Sequence, residues 1–155
     1  MKTNPAIVTK CLSSGSIAVA GVSRDPHQSA NVIFKKLKAS GRLVFPVNPN
    51  ADTVEGEQCY PDIASLPQRV DAAMIVTHPE RSANIVKQCS AAGVMRVWFH
   101  RSFGQGSVSD EAVLECERNK IECIIGGCPM MYCEPVDPFH RCMRWFLRLQ
   151  RKVPG

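Results

Sequence analysis

No two of the eight cysteines in this chain form a Cys-x-x-Cys pair, which excludes the common zinc and thioredoxin-type signatures. No apolar run approaches the roughly 20 residues of a membrane-spanning helix. Residues 1–16 lack an apolar core followed by a small-residue cleavage site, so no secretory signal is read there. Repeats and low-complexity segments are also missing. The net charge of +5 suits an anionic ligand or an acidic partner, but is too small to argue for nucleic acid.

What is present fits one globular domain. A chain of 155 residues buries enough surface to fold without disulfide staples. Cys11, Cys59, Cys89, Cys116, Cys123, Cys128, Cys133 and Cys142 are therefore read as reduced thiols, several of them small core residues, in a cytoplasmic protein. Cys123, Cys128, Cys133, His140 and Cys142 crowd together in sequence, yet their spacing matches no common metal site, and none is assigned.

Short apolar runs alternate with helical patterns. Strands are expected at 17–22, 42–47, 71–76, 96–99 and 121–125, and helices at 29–40, 79–92, 109–119 and 138–152, with a short leading helix near 6–12. Val32, Ile33, Phe34 and Leu37 form the expected apolar face of the first long helix. The connection 51–67 is polar, with an extended piece near Cys59 and a helical turn at 63–66. None of the strands alternates cleanly between apolar and polar, which points to a parallel sheet buried on both faces. The expected fold class is α/β: a Rossmann-like, doubly wound parallel sheet of about five strands, helices on both faces, in a single domain. Residues 1–16 are a helical lead-in, 17–137 the binding domain, and 138–155 an amphipathic basic helix packed on it.

Ligands of such sheets lie beyond the carboxyl ends of the strands. The first strand delivers Gly21, Val22, Ser23 and Arg24 there, the second Pro46, Val47, Asn48 and Pro49, the third Val76, Thr77, His78 and Pro79, and the fifth Cys128. A nicotinamide cofactor fits poorly. The first turn has a single glycine instead of G-x-G-x-x-G, and the second strand ends in Asn48, not in a ribose-binding carboxylate.

The order Gly-Val-Ser at residue 21, Pro-Val-Asn-Pro at 46, a proline turn after the third strand and Cys-Pro at 128 resembles the small single-domain CoA-binding proteins. Those are similar to the N-terminal CoA-binding domain of the succinyl-CoA synthetase alpha subunit. The resemblance implies CoA or an acyl-CoA as ligand. It places the phosphate-bearing part at Gly21, Val22 and Ser23, and the adenosine part at Val47, Asn48 and Pro49. The other wall falls to Val76, Thr77 and Pro79, with Arg24 neutralising phosphate. The chain departs from the family pattern in three places: at 27–31, at Thr77-His78 and at Gly126-Gly127.

No catalytic residue is assigned, since no nucleophile and base can be paired by spacing. His78 and His100 sit at strand ends, as wall residues before catalysts. Cys128 is placed either as a thiol able to form a mixed disulfide with CoA or as a buried structural thiol. In the last helix Phe139, Cys142, Met143, Phe146 and Leu149 repeat on one side and Arg141, Arg144, Arg148 and Arg151 on the other. That pattern reads as a closing helix with a solvated basic face, leaving room for a homodimer or a protein partner. The leading expectation is a stand-alone binder of a small nucleotide ligand. A CoA-presenting subunit of an acyl-CoA ligase or transferase comes second, and an NAD-type redox sensor third.

Overall fold

The computed structural model describes residues 5–101, 105–150 and 153. The elements run α1 (Pro5–Leu12), β1 (Ser16–Ala20), α2 (Ser29–Ala39), β2 (Leu43–Val47), β3 (Thr53–Val54), β4 (Glu57–Gln58), β5 (Ala72–Ile75), α3 (Pro79–Ala91), β6 (Arg96–Phe99), α4 (Asp110–Arg118), β7 (Glu122–Ile125) and α5 (Pro138–Leu149), with a 3-10 turn at Pro129–Met131. Five strands form one parallel sheet in the order β2-β1-β5-β6-β7. The expected fold class is the one observed.

Period-two alternation sorts each strand between two cores. Ile17 and Val19 of β1, Met74 of β5, Trp98 of β6 and Ile124 of β7 pack with α1, α2 and α5. Ala18 and Ala20, Ile75, Phe99 and Cys123 pack with α3 and α4 on the opposite face. Both faces are covered, so every residue of β1 and β5 is buried and no polar alternation survives in the sequence. The largest fully buried side chains are Trp98, Phe34 and Phe99, each contributing roughly 2–3 kcal/mol by leaving water.

Several local readings are corrected. Val32 is not a core residue of α2 but 38% exposed; the buried positions there are Ala30, Asn31, Ile33, Phe34 and Leu37. The 51–67 connection contains the β3–β4 hairpin, whose turn places Glu55 and Gly56 at positive φ, as a tight hairpin requires. At 63–66 there is a turn closed by Leu66 N–H to Ile63 O, not a helix. Tyr60 then bridges alongside Val47 and covers the open edge of β2. The last helix seats only Met143 and Leu147 in the core, while Phe139, Trp145, Phe146 and Leu149 stay exposed. The 3-10 turn and Tyr132 already fill the space beneath it, so α5 lies along the edge of that core. Its basic side is not simply solvated either: Arg144 donates to Met131 O at 2.9 Å and lies over the Tyr132 ring. Arg151 and the predicted end of this helix at 152 fall outside the described residues. No helix among the described residues is long and apolar enough to cross a membrane.

The amino end of the sheet is pinned by Asp71. Its Oδ2 accepts from both the backbone N–H and the hydroxyl of Ser16, each at 3.0 Å. Those two donors hold the Asp71 carboxyl below its ordinary value of 3.8, the backbone N–H acting most strongly. Asp71→Asn is expected to lower stability by about 1 kcal/mol at neutral pH, read by urea unfolding. A lowered carboxyl stabilises the folded state above its unfolded value. The wild-type advantage should therefore fade as pH falls below 3.8 and through the folded-state value.

Candidate functional site

The ladder register puts Ala20, Val47, Ile75, Phe99 and Ile125 in one row, so all five carboxyl ends open at the same edge. The chain leaves β1 for β2 on one side, then crosses back to β5 on the other. The strand order therefore reverses between β1 and β5, and a crevice is expected there. A cleft of about 290 Å³ lies at that point.

Gly21 forms its floor. Its φ is +104°, and a Cβ at this position would stand 2.2 Å from Val76 O. Only glycine allows the two outgoing chains to run this close. The walls are Val76, Thr77, His78 and Pro79 after β5, and Gln28, Ser29 and Ala30 at the start of α2. His100, Gly106 and Ser107 close the far side. Ser107 is held by its N–H to His100 O and by the Ser82 hydroxyl, which donates to Ser107 O at 2.6 Å. Gly106 is also at positive φ, where a Cβ would strike His100 O at 2.4 Å. Positions 102–104 of this loop lie outside the described residues.

The electrostatics of the cleft are set by two helix ends. The α2 N-terminus, with Gln28 at its cap, and the α3 N-terminus, with His78 at its cap, both border it, and neither carries a side-chain cap. The α2 end presents the first-turn N–H groups of Ser29 and Ala30, and both ends carry a partial positive charge; at α3, Pro79 has no N–H and Arg81 N–H already donates to His78 O. None of the described lining residues is an Asp or Glu. Burial, with a smaller contribution from His140, pushes His100 down to about 4, so this wall stays uncharged at neutral pH.

The expected site residues divide into two groups. Gly21, Val76, Thr77, His78 and Pro79 line the cleft. Val22, Ser23, Arg24, Pro46, Val47, Asn48 and Pro49 stand beside it, in the turns after β1 and β2. Val22 turns its side chain fully into the core, and its carbonyl accepts from Asn48 Nδ2 at 2.6 Å. The Ser23 N–H donates to Asn31 Oδ1 at 2.8 Å. Arg24 donates to Asn50 O at 2.9 Å, which ties the two turns together. Pro46 and Val47 are buried, and Pro49 is exposed. Cys128 is 4% exposed, in keeping with the buried-thiol alternative, and borders a neighbouring cleft instead of this one. Cys123 faces the opposite core from Cys128 and Cys133, so the cysteines clustered in sequence are divided by the sheet. Burial pushes Cys11 and Cys89 up to about 12, as befits inert core thiols.

Sequence reasoning missed Asn31. It is 1% exposed and brackets Ser23 from both sides, its Nδ2 also donating to Ser23 O at 2.8 Å and to Glu55 Oε1 at 2.9 Å. A polar residue inside the buried stripe of α2 was the available signal. Gln28, Ser29 and Ala30 escape a search for functional side chains because their contribution is a helix terminus, not a reactive group.

An open parallel sheet with a cleft at its switch point is the architecture of the nucleotide-binding α/β domains. Within that class, the family model described as CoA binding domain matches residues 15–134, and the chain belongs to that family. It is 35% identical over 107 residues to the alpha subunit of acetate–CoA ligase (ADP-forming) II of Pyrococcus furiosus, covering 68% of this chain and 23% of that subunit. It is 35% identical over 81 residues to acetate–CoA ligase (ADP-forming) II of Archaeoglobus fulgidus, covering 51% of this chain and 12% of that ligase. The chain thus spans a quarter or less of the length of these curated relatives. Among solved structures, a hypothetical protein from Pyrococcus horikoshii is similar at a TM-score of 0.77 and 26% identity, covering 83% of this chain and 89% of that one. The dinucleotide-forming acetyl-coenzyme A synthetase 1 of Ca. Korarchaeum cryptofilum, in complex with phosphate and ADP, is similar at 0.63 and 28%, covering 78% and 25%.

Gly21→Ala is expected to cost at least about 2 kcal/mol in urea unfolding, because the new methyl meets backbone and the conformation is left-handed.

Proposed function

We propose that this chain binds coenzyme A or an acyl-CoA at the carboxyl edge of the sheet and performs no catalysis of its own. The observation that carries this reading is the pair of uncapped helix N-termini bordering one cleft floored by Gly21. In this reading the N–H groups of Ser29 and Ala30 hold the diphosphate. Gly21, Val76, Thr77, His78 and Pro79 flank it. The adjoining turn after β1, with Val22, Ser23 and Arg24, takes part in holding the phosphate-bearing part, and the turn after β2, with Pro46, Val47, Asn48 and Pro49, receives the adenosine part. His100, uncharged at neutral pH, serves as wall and hydrogen-bonding group. Asn48 supports CoA over NAD, because its side chain is engaged with Val22 O and offers no carboxylate to a ribose. The eight free cysteines suit a reducing compartment such as the cytoplasm.

A second reading makes the chain a CoA-presenting subunit of an acyl-CoA ligase. Two observations favour it: the relationship to a ligase alpha subunit, and the exposed apolar face of α5 with Trp145, Phe146 and Leu149, on which a partner subunit would seat.

Thermal unfolding with CoA, acetyl-CoA, NAD and ATP tests the proposal. At a hundredfold excess over Kd, CoA should raise the midpoint by about 5–10 °C. Stabilisation by NAD and not by CoA would falsify it. Gln28→Asp tests the anion site separately. Aspartate is a favoured N-cap, so its carboxylate would take the N–H groups offered to the phosphate. Stability should change by less than about 1 kcal/mol while CoA affinity falls about tenfold.

A further inference from the structure

A second cleft, of about 180 Å³, opens between α2 and α5 and shares Ser29 and His100 with the first. Its character is different. Val32 and Ile33 of α2 face Phe139 and Met143 of α5, with Cys128 and Met130 between them. The described lining includes no Asp, Glu, Lys or Arg; its polar members are Ser29 and the imidazoles of His27, His100 and His140. His140 is positioned by Asp137, Nδ1 to Oδ2 at 2.6 Å, and by the Phe139 ring set edge-on at 5.4 Å. Val32 and Phe139 are 38% and 67% exposed, so the mouth of the cleft leaves apolar surface in water. For scale, an apolar cavity of about 150 Å³ admits a benzene ring. The α5 wall begins at Pro138, beyond residue 134 where the family match ends. The family domain alone does not enclose this chamber; α5 completes it.

We infer that the second cleft holds the acyl group of a short-chain, uncharged acyl thioester whose nucleotide lies in the first cleft. This rests on the reading of the first cleft as a CoA site and adds the class of acyl group. The two clefts are continuous at Ser29 and His100, so in this proposal the pantetheine arm that joins the diphosphate to the thioester runs from the first cleft into the second through that junction. An aliphatic chain of a few carbons covers Val32 and Phe139, which the free thiol of CoA leaves wet. A dicarboxylic acyl group is disfavoured, because its carboxylate would leave water for an apolar lining that holds no Lys or Arg among the described residues. The imidazoles supply N–H donors for the thioester carbonyl.

Calorimetric titration of the full chain with CoA, acetyl-CoA, butyryl-CoA and succinyl-CoA provides the test. Burying one methylene is worth about fourfold in affinity. Allowing for an open mouth, butyryl-CoA should bind about tenfold tighter than CoA, acetyl-CoA should fall between them, and succinyl-CoA should gain nothing. Val32→Trp fills the cleft from an exposed position and should bring the butyryl-CoA to CoA ratio close to one. Phe139→Ala removes an exposed wall and should lower the same ratio. Circular dichroism checks that both variants are folded. Equal affinity for CoA and butyryl-CoA in the unaltered protein overturns the acyl site and leaves the CoA reading standing. So does a ratio that Val32→Trp does not move. If neither CoA nor any thioester binds, the CoA reading fails, and the acyl site with it.

Discussion

The structure depends on one close approach: the turn after β1 passes against the backbone after β5, with Val76 O where a Cβ of residue 21 would be. Two parallel strands that continue in opposite lateral directions must part at their carboxyl ends. The cleft between them stays open only if neither chain fills it. A bare α-carbon at Gly21 meets both demands. It lets β1 and β5 remain paired through Ala20 and Ile75, with Val76 N–H still donating to Ala20 O. It also leaves the α2 N-terminus bordering an unfilled space.

Around that approach, the polar groups are used to hold the loops and leave the cleft uncharged. Asn31 fastens the β1–α2 turn to the β3–β4 hairpin, and Asn48 fastens the β2 turn to Val22. Ser82 fastens the loop that bears Gly106 and Ser107. Apart from the side-chain bond between Asn31 and Glu55, these are internal hydrogen bonds to backbone groups that would otherwise need water. The consequence is a pocket whose electrostatics come from helix termini already fixed in place.

The helix α5 introduces a different physics to the same edge. Its pattern is strongly amphipathic, yet the core accepts only Met143 and Leu147. The remaining apolar surface is shared between the second cleft and solvent. One small domain thus presents a cleft bordered by helix termini and a more apolar one side by side. The first is made by the sheet's own crossovers; the second needs a helix laid over the 3-10 turn after β7.

Alternation of short apolar runs with helical periods was enough, in the linear chain, to determine the doubly wound class, because strands buried on both faces read as near-continuous apolar runs with no polar alternation. The ends of β1, β2 and β5 were legible too, since Gly21, Asn48 and Pro79 are backbone-directing residues whose effect is local. Residues whose role depends on distant partners were not legible. Asn31 matters through Ser23 and Glu55, and Val32 borders a cleft shared with a helix more than a hundred positions away. The division of the cysteines between two cores, and the uncovered face of α5, were likewise decided by tertiary packing. Local periodicity reports which side of a segment is apolar; only the assembled layers determine how much of that side another element can reach.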